Sequence, residues 1–317
     1  MDERVSPTAD NDSAPATSRA GRRQRIAAVA LILLAFGLML SSAARKSATV
    51  DEQSHLFRGV AFLKSGATHF LLGHPLLAGT LSALPLLSEP ELALPAGTPA
   101  WETGDWSVAG DAFLWNLNDN PQRLILLGRL PVIWLTLLLG TLVFRWGREW
   151  AGPVAGLLAM VLVLMDPNVL AHGRFITGDL PLVLFFILAL YGFWRWVRCF
   201  LRHPSRGYSF LKERPTLHLL LSGVGLGLAG ATKFNAALLL PILALWAGIL
   251  AWRRRSVTPL LALVTVGVAG WITIWAIYGF SLWRGYLPGG AFWDDVLWQS
   301  SYVGDQHGVY LLGQTSA

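Results

Sequence analysis

Seven long apolar runs, separated by charged segments, constrain this chain more than any other feature of its sequence. They cover residues 26–44, 124–144, 154–170, 180–197, 217–231, 236–252 and 257–280. A helix rises about 1.5 Å per residue, so the first run spans about 28 Å, close to the hydrocarbon thickness of a bilayer. Runs of this length indicate helices, because a helix satisfies its own backbone polar groups in lipid. The sequence therefore predicts an all-α polytopic membrane protein with about seven transmembrane helices.

The composition agrees with lipid as the main solvent of the chain. Hydrophobic residues make up 54% of the sequence and charged residues 14%, whereas soluble domains carry about 25% charged residues. The 15 tryptophans suit the interfacial belts of a membrane protein. The single cysteine excludes an internal disulfide and a cysteine-based zinc site. Basic residues are spread between the apolar runs, which argues against nucleic-acid binding.

Charge asymmetry predicts the orientation of the helices. Residues 1–25 are typical of a disordered cytoplasmic tail, and the tail ends in several arginines. With this tail inside, the arginines between alternate runs also lie inside, and most of the 19 acidic residues lie outside. Residues 42–44 resemble a signal-peptide cleavage site, but the long tail and the full spanning length of the first run argue against cleavage. We therefore expect a cytoplasmic N-terminus.

This topology divides the chain into a membrane domain, residues 26–280, and two long outer segments. The first outer segment is the loop 45–123, and the second is the region 281–317. Up to residue 87 the loop alternates polar and apolar residues, as amphipathic helices at a membrane surface do. Its second half is rich in proline and glycine and predicts irregular surface.

The adjacent carboxylates Asp51 and Glu52 stand where the first membrane segment emerges into water. Ionisable groups at such a boundary cost free energy unless they are paired or functional. The order Thr49-Val50-Asp51-Glu52 also fits a capping box at the start of a helix. The two interpretations are compatible, because a capped helix also holds a carboxylate rigidly.

Two further candidates lie on the outer side. Arg129, within the second run, requires an anionic partner, which is either a carboxylate such as Asp51 or Asp179 or the phosphate of a lipid headgroup. His74, which precedes Pro75, suits either a turn or a binding site.

The short outer segment 166–179 collects two acids, a histidine and Arg174 beside the membrane. Its last residue, Asp179, precedes a run that begins Leu180-Pro181, so a helix N-cap is the alternative to a site. Lys233, between the fifth and sixth runs, faces the same side and can balance these acids or bind an anion.

Several of these segments together resemble a known family, the bacterial dolichyl-phosphate-mannose-protein-mannosyltransferase-like enzymes. These are polyprenyl-phosphate-sugar-dependent glycosyltransferases with a GT-C-type helical bundle. The resemblance lies in Asp51-Glu52-Gln53-Ser54-His55-Leu56-Phe57-Arg58-Gly59, Gly73-His74-Pro75-Leu76-Leu77-Ala78, Gly128-Arg129-Leu130-Pro131, Asp166-Pro167-Asn168, Ala171-His172-Gly173-Arg174, Thr177-Gly178-Asp179-Leu180-Pro181 and Thr232-Lys233-Phe234.

The resemblance implies a role for each candidate residue. Asp51 would be the general base, with Glu52 as its catalytic neighbour, and Arg129 would face the lipid-linked phosphate. Asp179 would be a second acid in the cavity. The remaining substrate-binding candidates are Arg58, His74, Arg174 and Lys233. The implied reaction is inverting transfer of a hexose such as mannose from a polyprenyl-phosphate carrier to a protein or glycolipid hydroxyl, at the outer face of a bacterial inner membrane.

Two departures from the family pattern accompany the resemblance. Leu76 and Gly79 replace a second proline and a basic residue, so one headgroup contact is expected to be missing. The chain also ends in a predicted outer segment where relatives continue, so the resemblance implies a C-terminally short relative.

Two alternative functions stay open. A transporter would place charges near the bilayer midplane in paired, broken helices, whereas these acids gather at one face. A non-catalytic subunit that binds a lipid headgroup is the second. The sequence predicts no certain cofactor, and the carboxylates and histidines leave a divalent metal site open.

Overall fold

The computed structural model describes residues 14–70, 74–89, 91–202 and 215–278, with side chains from residue 21 onward. All regular structure in these ranges is helical. The α-helices are α1 (Ala14–Ala43), α2 (Val50–Ser65), α3 (Leu77–Ala83), α4 (Pro99–Thr103), α5 (Trp106–Asp111), α6 (Pro121–Ala151), α7 (Pro153–Leu164), α8 (Pro167–His172), α9 (Asp179–Arg202), α10 (Pro215–Gly230), α11 (Leu239–Arg254) and α12 (Thr258–Ile277). Short 3-10 turns cover Leu84–Ser88 and Phe234–Leu238, and a π-helical turn covers Ala112–Leu117.

All seven predicted apolar runs contain helices within the described residues, and the predicted all-helical polytopic architecture is confirmed. Five described helical segments are long and apolar enough to cross a membrane: Gly21–Ala43, Pro121–Ala151, Asp179–Arg202, Phe234–Arg254 and Thr258–Ile277. The runs 154–170 and 217–231 instead give the shorter helices α7 and α10, of 12 and 16 residues. The first of them stops early because the Asp166 side chain accepts from Asn168 and Val169 N–H and starts α8.

The ends of the chain extend beyond what the structure describes. Helix α1 begins at Ala14, so the part of the predicted tail from residue 14 to 25 is helical. Residues 1–13 and the predicted outer segment 281–317 lie outside the described residues.

Helices α9, α10 and α12 pack with their backbones in close approach. A Cβ atom added at Gly225 of α10 would lie 2.6 Å from the Ala189 nitrogen of α9. On the opposite side of α10, a Cβ at Gly223 would lie 2.8 Å from the Val266 oxygen of α12. The glycines of run 217–231 therefore serve the close helix contacts expected of small residues in lipid.

The first half of the outer loop is more deeply packed than an amphipathic surface helix would be. In α2 every residue from Glu52 to Ala61 is buried, polar residues included. Helix α3 crosses α2 so closely that a Cβ on Gly59 would overlap the carbonyl of Gly79. The loop therefore forms a folded cap on the membrane helices, and the polar side chains of α2 from Glu52 to Arg58 are buried in it.

The connections alternate between the two ends of the bundle. The segments that follow α1, α8 and α10 meet at one end, where the Glu52 carboxylate accepts from Ile176 N–H and Gly178 approaches Thr232. At the opposite end, Glu149 accepts from Arg145 and from the Tyr191 hydroxyl. The predicted candidate residues belong to the first end.

Candidate active site

A polar pocket of about 340 Å³, open mouth included, lies at the end of the bundle that carries the candidates. The space inside the pocket is about 70 Å³, well below the range of typical ligand sites, about 300–1,000 Å³. The pocket is lined by Asp51, His55, His74, Thr177, Gly178, Asp179, Thr232 and Lys233. Four separate chain segments contribute to it: the start of α2, the segment before α3, the start of α9 and the turn after α10.

Backbone contacts bring these segments together. The Leu77 N–H donates to the Ala231 carbonyl at 3.0 Å, which ties the segment before α3 to the end of α10. Gly178 lies so close to the turn after α10 that a Cβ on it would be 3.1 Å from the Thr232 oxygen. The close approach at Gly178 places Asp179 beside Lys233.

Asp179 and Lys233 form an ion pair in the pocket, with Nζ and Oδ1 2.7 Å apart. Both side chains keep contact with solvent, with 48% of Asp179 and 27% of Lys233 exposed. The expectation that Lys233 balances the acids of segment 166–179 is thereby met. Because the pair is accessible, an incoming anion can compete with Asp179 for the ammonium group.

Asp51 presents an exposed carboxylate at the second position of α2. Within the described part of the chain it forms no hydrogen bond and no ion pair. A negative charge in the first turn of a helix is favoured by the helix dipole and by unpaired backbone N–H groups. Asp51 is thus held in place by the helix while its oxygens stay available to a ligand.

Two histidines form the wall of the pocket. The rings of His55 and His74 stack with centroids 5.6 Å apart and planes 21° apart. Burial, with the charges of His74, Arg58 and Lys233, lowers the pKa of His55 to about 3. Burial and the charges of Lys233 and Arg58 also lower the pKa of His74 below its ordinary value. At neutral pH the wall is therefore uncharged.

The catalytic role expected for Glu52 is not supported by its position. Its side chain is 0% exposed and forms a two-pronged ion pair with Arg129, at 2.7 Å for Nε to Oε1 and 2.6 Å for Nη2 to Oε2. Its oxygens also accept from the backbone N–H of Thr49 at 2.9 Å and of Ile176 at 3.1 Å. The predicted capping box is confirmed by the Thr49 contact. Every lone pair of Glu52 faces protein, so it has no means of reaching a substrate.

Arg129, expected to face the lipid-linked phosphate, is likewise placed away from the pocket. The side chain is 0% exposed. Besides the two bonds to Glu52, it donates to the carbonyls of Ala43, Lys46 and Ser47 at 2.7–2.8 Å. These five bonds use all five guanidinium N–H groups. The alternative interpretation, a structural salt bridge, is the one that the geometry favours, although its partner is Glu52.

Arg58 and Arg174, both expected to bind substrate, are also buried and are not among the residues that line the pocket. One Arg58 nitrogen donates to the His74 carbonyl, so this arginine supports the histidine wall from behind. The Arg174 guanidinium lies over the Phe175 ring, 4.2 Å from its centroid. Of the expected substrate-binding residues, the structure gathers His74, Asp179 and Lys233 in the pocket with Asp51.

Position 79 explains one departure from the family pattern. A Cβ on Gly79 would overlap the backbone carbonyl of His55. A basic side chain at this position would require α3 to move away from α2. The headgroup contact expected to be missing is therefore incompatible with this packing of the two helices.

Sequence reasoning missed His55, Thr177 and Thr232 as pocket residues. The signal for His55 was available, because residues four positions apart share one face of a helix and His55 follows Asp51 by four. No comparable signal exists for Thr177 or Thr232, since a threonine beside a helix end has several ordinary roles. Within the described ranges, no group of three or more His, Cys, Asp or Glu side chains is arranged to hold a metal ion.

Comparisons with known proteins bear on the same residues. The sequence model of a family described as dolichyl-phosphate-mannose-protein mannosyltransferase matches residues 108–284, more than half of the chain. The matched region includes the Thr177, Asp179 and Lys233 side of the pocket, and the Asp51 and His74 side precedes it. Neither a curated protein nor a solved structure gave a match.

Proposed function

The chain belongs to the dolichyl-phosphate-mannose-protein mannosyltransferase family, and from that premise we propose that it is an inverting glycosyltransferase. It moves a hexose, with mannose as the first expectation, from a polyprenyl-phosphate carrier to a hydroxyl group of a protein or glycolipid. The family implies glycosyltransferase activity and a membrane setting. The donor, the inversion and the acceptor are the parts of the proposal that require tests.

The observation that carries the proposal is that one pocket holds two groups: a carboxylate with no bonded partner among the described residues and an accessible cation. Asp51 and Lys233 both line this pocket, which lies at one end of the membrane helices. Transfer from a sugar phosphate requires a base for the incoming hydroxyl and positive charge for the departing phosphate. A lipid-linked donor also requires these groups at the end of the bundle, where its headgroup sits.

The mechanism assigns one task to each group. Asp51 accepts the proton of the acceptor hydroxyl as that oxygen forms a bond to the anomeric carbon. The bond between this carbon and the phosphate oxygen breaks, and the phosphate leaves with the electron pair from the opposite face. Attack from the face opposite the leaving group inverts the anomeric configuration. A positioned general base contributes typically about 10²–10⁴-fold to such a step.

Lys233 takes the role that the sequence had suggested for Arg129. The phosphate competes with Asp179 for the ammonium group, which is 2.7 Å from that carboxylate without a ligand. Fixed positive charge at the departing oxygen stabilises the charge that develops as the bond breaks. Asp179 then serves as the resting counter-ion of the lysine, and it can bond a sugar hydroxyl once displaced.

The proposed location is the outer face of a bacterial inner membrane, with the N-terminus in the cytoplasm. It is supported by the excess of arginine at the end of the bundle opposite the pocket, where Arg145, Arg195 and Arg198 surround Glu149. Cytoplasmic loops of membrane proteins carry such an excess.

The first test is sugar transfer from a radiolabelled polyprenyl-phosphate mannose, in membranes that contain the wild-type protein or Asp51→Asn. We expect the substitution to lower the transfer rate by about 10²-fold or more, because the amide cannot accept the proton. Donor affinity should change little, since the phosphate is assigned to Lys233.

The matched control is Asp119→Asn, which removes an exposed acid from the same outer loop. It should leave transfer unchanged. Equal transfer by the Asp51→Asn and wild-type proteins would remove Asp51 as the base. Donor binding without turnover by the wild-type protein would instead favour a non-catalytic headgroup-binding subunit.

A further inference from the structure

His55 is a polar side chain that the mechanism above leaves without a task. It lies one helical turn after Asp51 on α2, and both side chains line the pocket. Only 8% of His55 is exposed, and within the described ranges neither ring nitrogen forms a hydrogen bond. Buried polar groups are normally bonded to protein, to water or to a ligand. Because the imidazole lines the pocket, it can bond water or a ligand there.

The ring of His55 is fixed in its orientation by its surroundings. It stacks on His74, whose own backbone carbonyl accepts a hydrogen bond from the buried Arg58. The backbone of His55 is fixed as well, because Gly79 of α3 packs directly against its carbonyl. A ring held in this way loses little freedom when it binds a ligand, which is the condition for a selective contact.

The charges around His55 determine what it can bind. The groups that act on it are Arg58 on its own helix and His74, Lys233 and Asp179 on neighbouring segments, and the net effect with burial keeps the ring neutral. A neutral imidazole offers one N–H donor and one lone-pair acceptor. That pair is complementary to a hydroxyl group, which both donates and accepts. It is a poor ligand for a phosphate, which the ammonium group of Lys233 suits better.

We infer that His55 is a specificity-determining residue that hydrogen-bonds one hydroxyl group of the transferred hexose. The inference rests on the proposed function. A phosphate on Lys233 places the attached sugar ring beside the lysine, and Lys233 is among the groups whose charge acts on His55. The acceptor oxygen belongs beside Asp51, so the sugar ring occupies the part of the pocket that the histidine wall borders.

The test is a comparison of donors with the full-length protein in lipid nanodiscs. The variants are His55→Phe, which keeps a flat ring but removes both nitrogens, and His55→Gln, which keeps a donor and an acceptor. The donors are polyprenyl-phosphate mannose and its monodeoxy analogues, each of which lacks one hydroxyl of the sugar. Transfer is measured as kcat/KM for every pair of variant and donor.

We expect His55→Phe to lower kcat/KM for the complete sugar by about 10-fold or more. For the one analogue that lacks the bonded hydroxyl, the same substitution should cause no further loss. His55→Gln should retain more activity than His55→Phe with the complete sugar. If His55 serves only folding, His55→Phe lowers kcat/KM by the same factor for all donors. That result would overturn the inference.

A binding measurement separates the sugar from the phosphate. Polyprenyl phosphate without a sugar should bind His55→Phe as tightly as it binds wild type, whereas Lys233→Gln should weaken its binding. Weaker binding to His55→Phe would assign the histidine to the phosphate and overturn the inference. A His55→Phe substitution that changes the KM of the acceptor but not that of the donor would also overturn the inference.

Two further results are possible: the His55→Phe protein fails to fold, or the wild-type protein transfers no sugar. If His55→Phe does not accumulate as folded protein, His55→Met, which also lacks a matching donor and acceptor, replaces it in the same comparison with His55→Gln. If the wild-type protein transfers no sugar from any donor, the proposed function fails and this inference fails with it. The wild-type result alone identifies that case.

Discussion

Two adjacent carboxylates at the start of α2 differ entirely in their surroundings. Successive helical residues point about 100° apart, so Glu52 turns into the protein while Asp51 faces the pocket. Glu52 meets Arg129, and the pair links the end of α1, the start of α2 and the segment before α9. The carbonyls that Arg129 satisfies include that of Ala43, at the C-terminus of α1, where orphan carbonyls need partners.

At this scale we predict that Arg129→Gln destabilises the folded protein by about 3–5 kcal/mol. The substitution leaves the buried Glu52 carboxylate without its cation, and an uncompensated buried charge is costly. Thermal unfolding in detergent, at matched protein concentration, measures the effect. Arg129→Lys should recover part of the loss, because an ammonium group restores the charge but has only three donors.

Arg123→Gln is the matched control on the same helix. Arg123 also pairs with a glutamate, Glu89 at 2.8 Å, but 58% of its side chain is exposed. Exposed ion pairs contribute little to stability. If Arg123→Gln lowered the stability as much as Arg129→Gln, burial would not be the reason for the effect at Arg129.

At the scale of elements, the pocket depends on how closely α3 lies against α2. Gly59 and Gly79 allow backbone contact between the two helices, and this contact places His55 against the segment that carries His74. The Tyr278 hydroxyl accepts from Leu76 N–H at 3.2 Å and holds the start of α3 to the end of α12. The histidine wall is therefore positioned by helix packing.

We predict that Gly79→Ala lowers stability by about 1–3 kcal/mol and also lowers the transfer rate. The new methyl group overlaps the His55 carbonyl, and overpacking at a close contact forces the backbone to move. Gly37→Ala is the control, because a Cβ at Gly37 of α1 meets no atom within 4 Å. Unchanged melting temperature and unchanged transfer with Gly79→Ala would contradict the dependence of the pocket on this contact.

At the scale of the whole molecule, the alternation of helices gathers the candidate chemistry at one end and the exposed arginines at the other. The end with Asp51, Asp179 and Lys233 collects acidic and basic groups in one pocket. The opposite end includes the pair Arg145 and Glu149, four residues apart on α6. An arginine-rich end is typical of the cytoplasmic side.

This arrangement predicts the labelling of single cysteines in whole cells. In a protein with Cys199→Ser, a membrane-impermeant thiol reagent should label Glu102→Cys in intact cells, because position 102 lies in the exposed outer loop. Arg254→Cys, at the exposed end of α11, should react only after the membrane is permeabilised. The reverse pattern would invert the proposed orientation and place the pocket in the cytoplasm.

The sequence by itself determined the helical membrane architecture, the helix start at Asp51 and Glu52, and the segments that carry the chemistry. These features depend on apolar run length, local capping and charge, all of which act over a few residues along the chain. The number of full-length spans was less well determined, because α7 ends at a side-chain cap that an apolar run does not reveal.

Only the tertiary structure decided which charged residues face a ligand. Arg129 and Lys233 are both cations beside the membrane in the sequence, yet one is consumed by five internal bonds and the other borders the pocket. The difference arises because the partners of Arg129 are up to 86 residues away in the chain. Burial and bonding across such distances depend on how helices pack, and no local pattern encodes them.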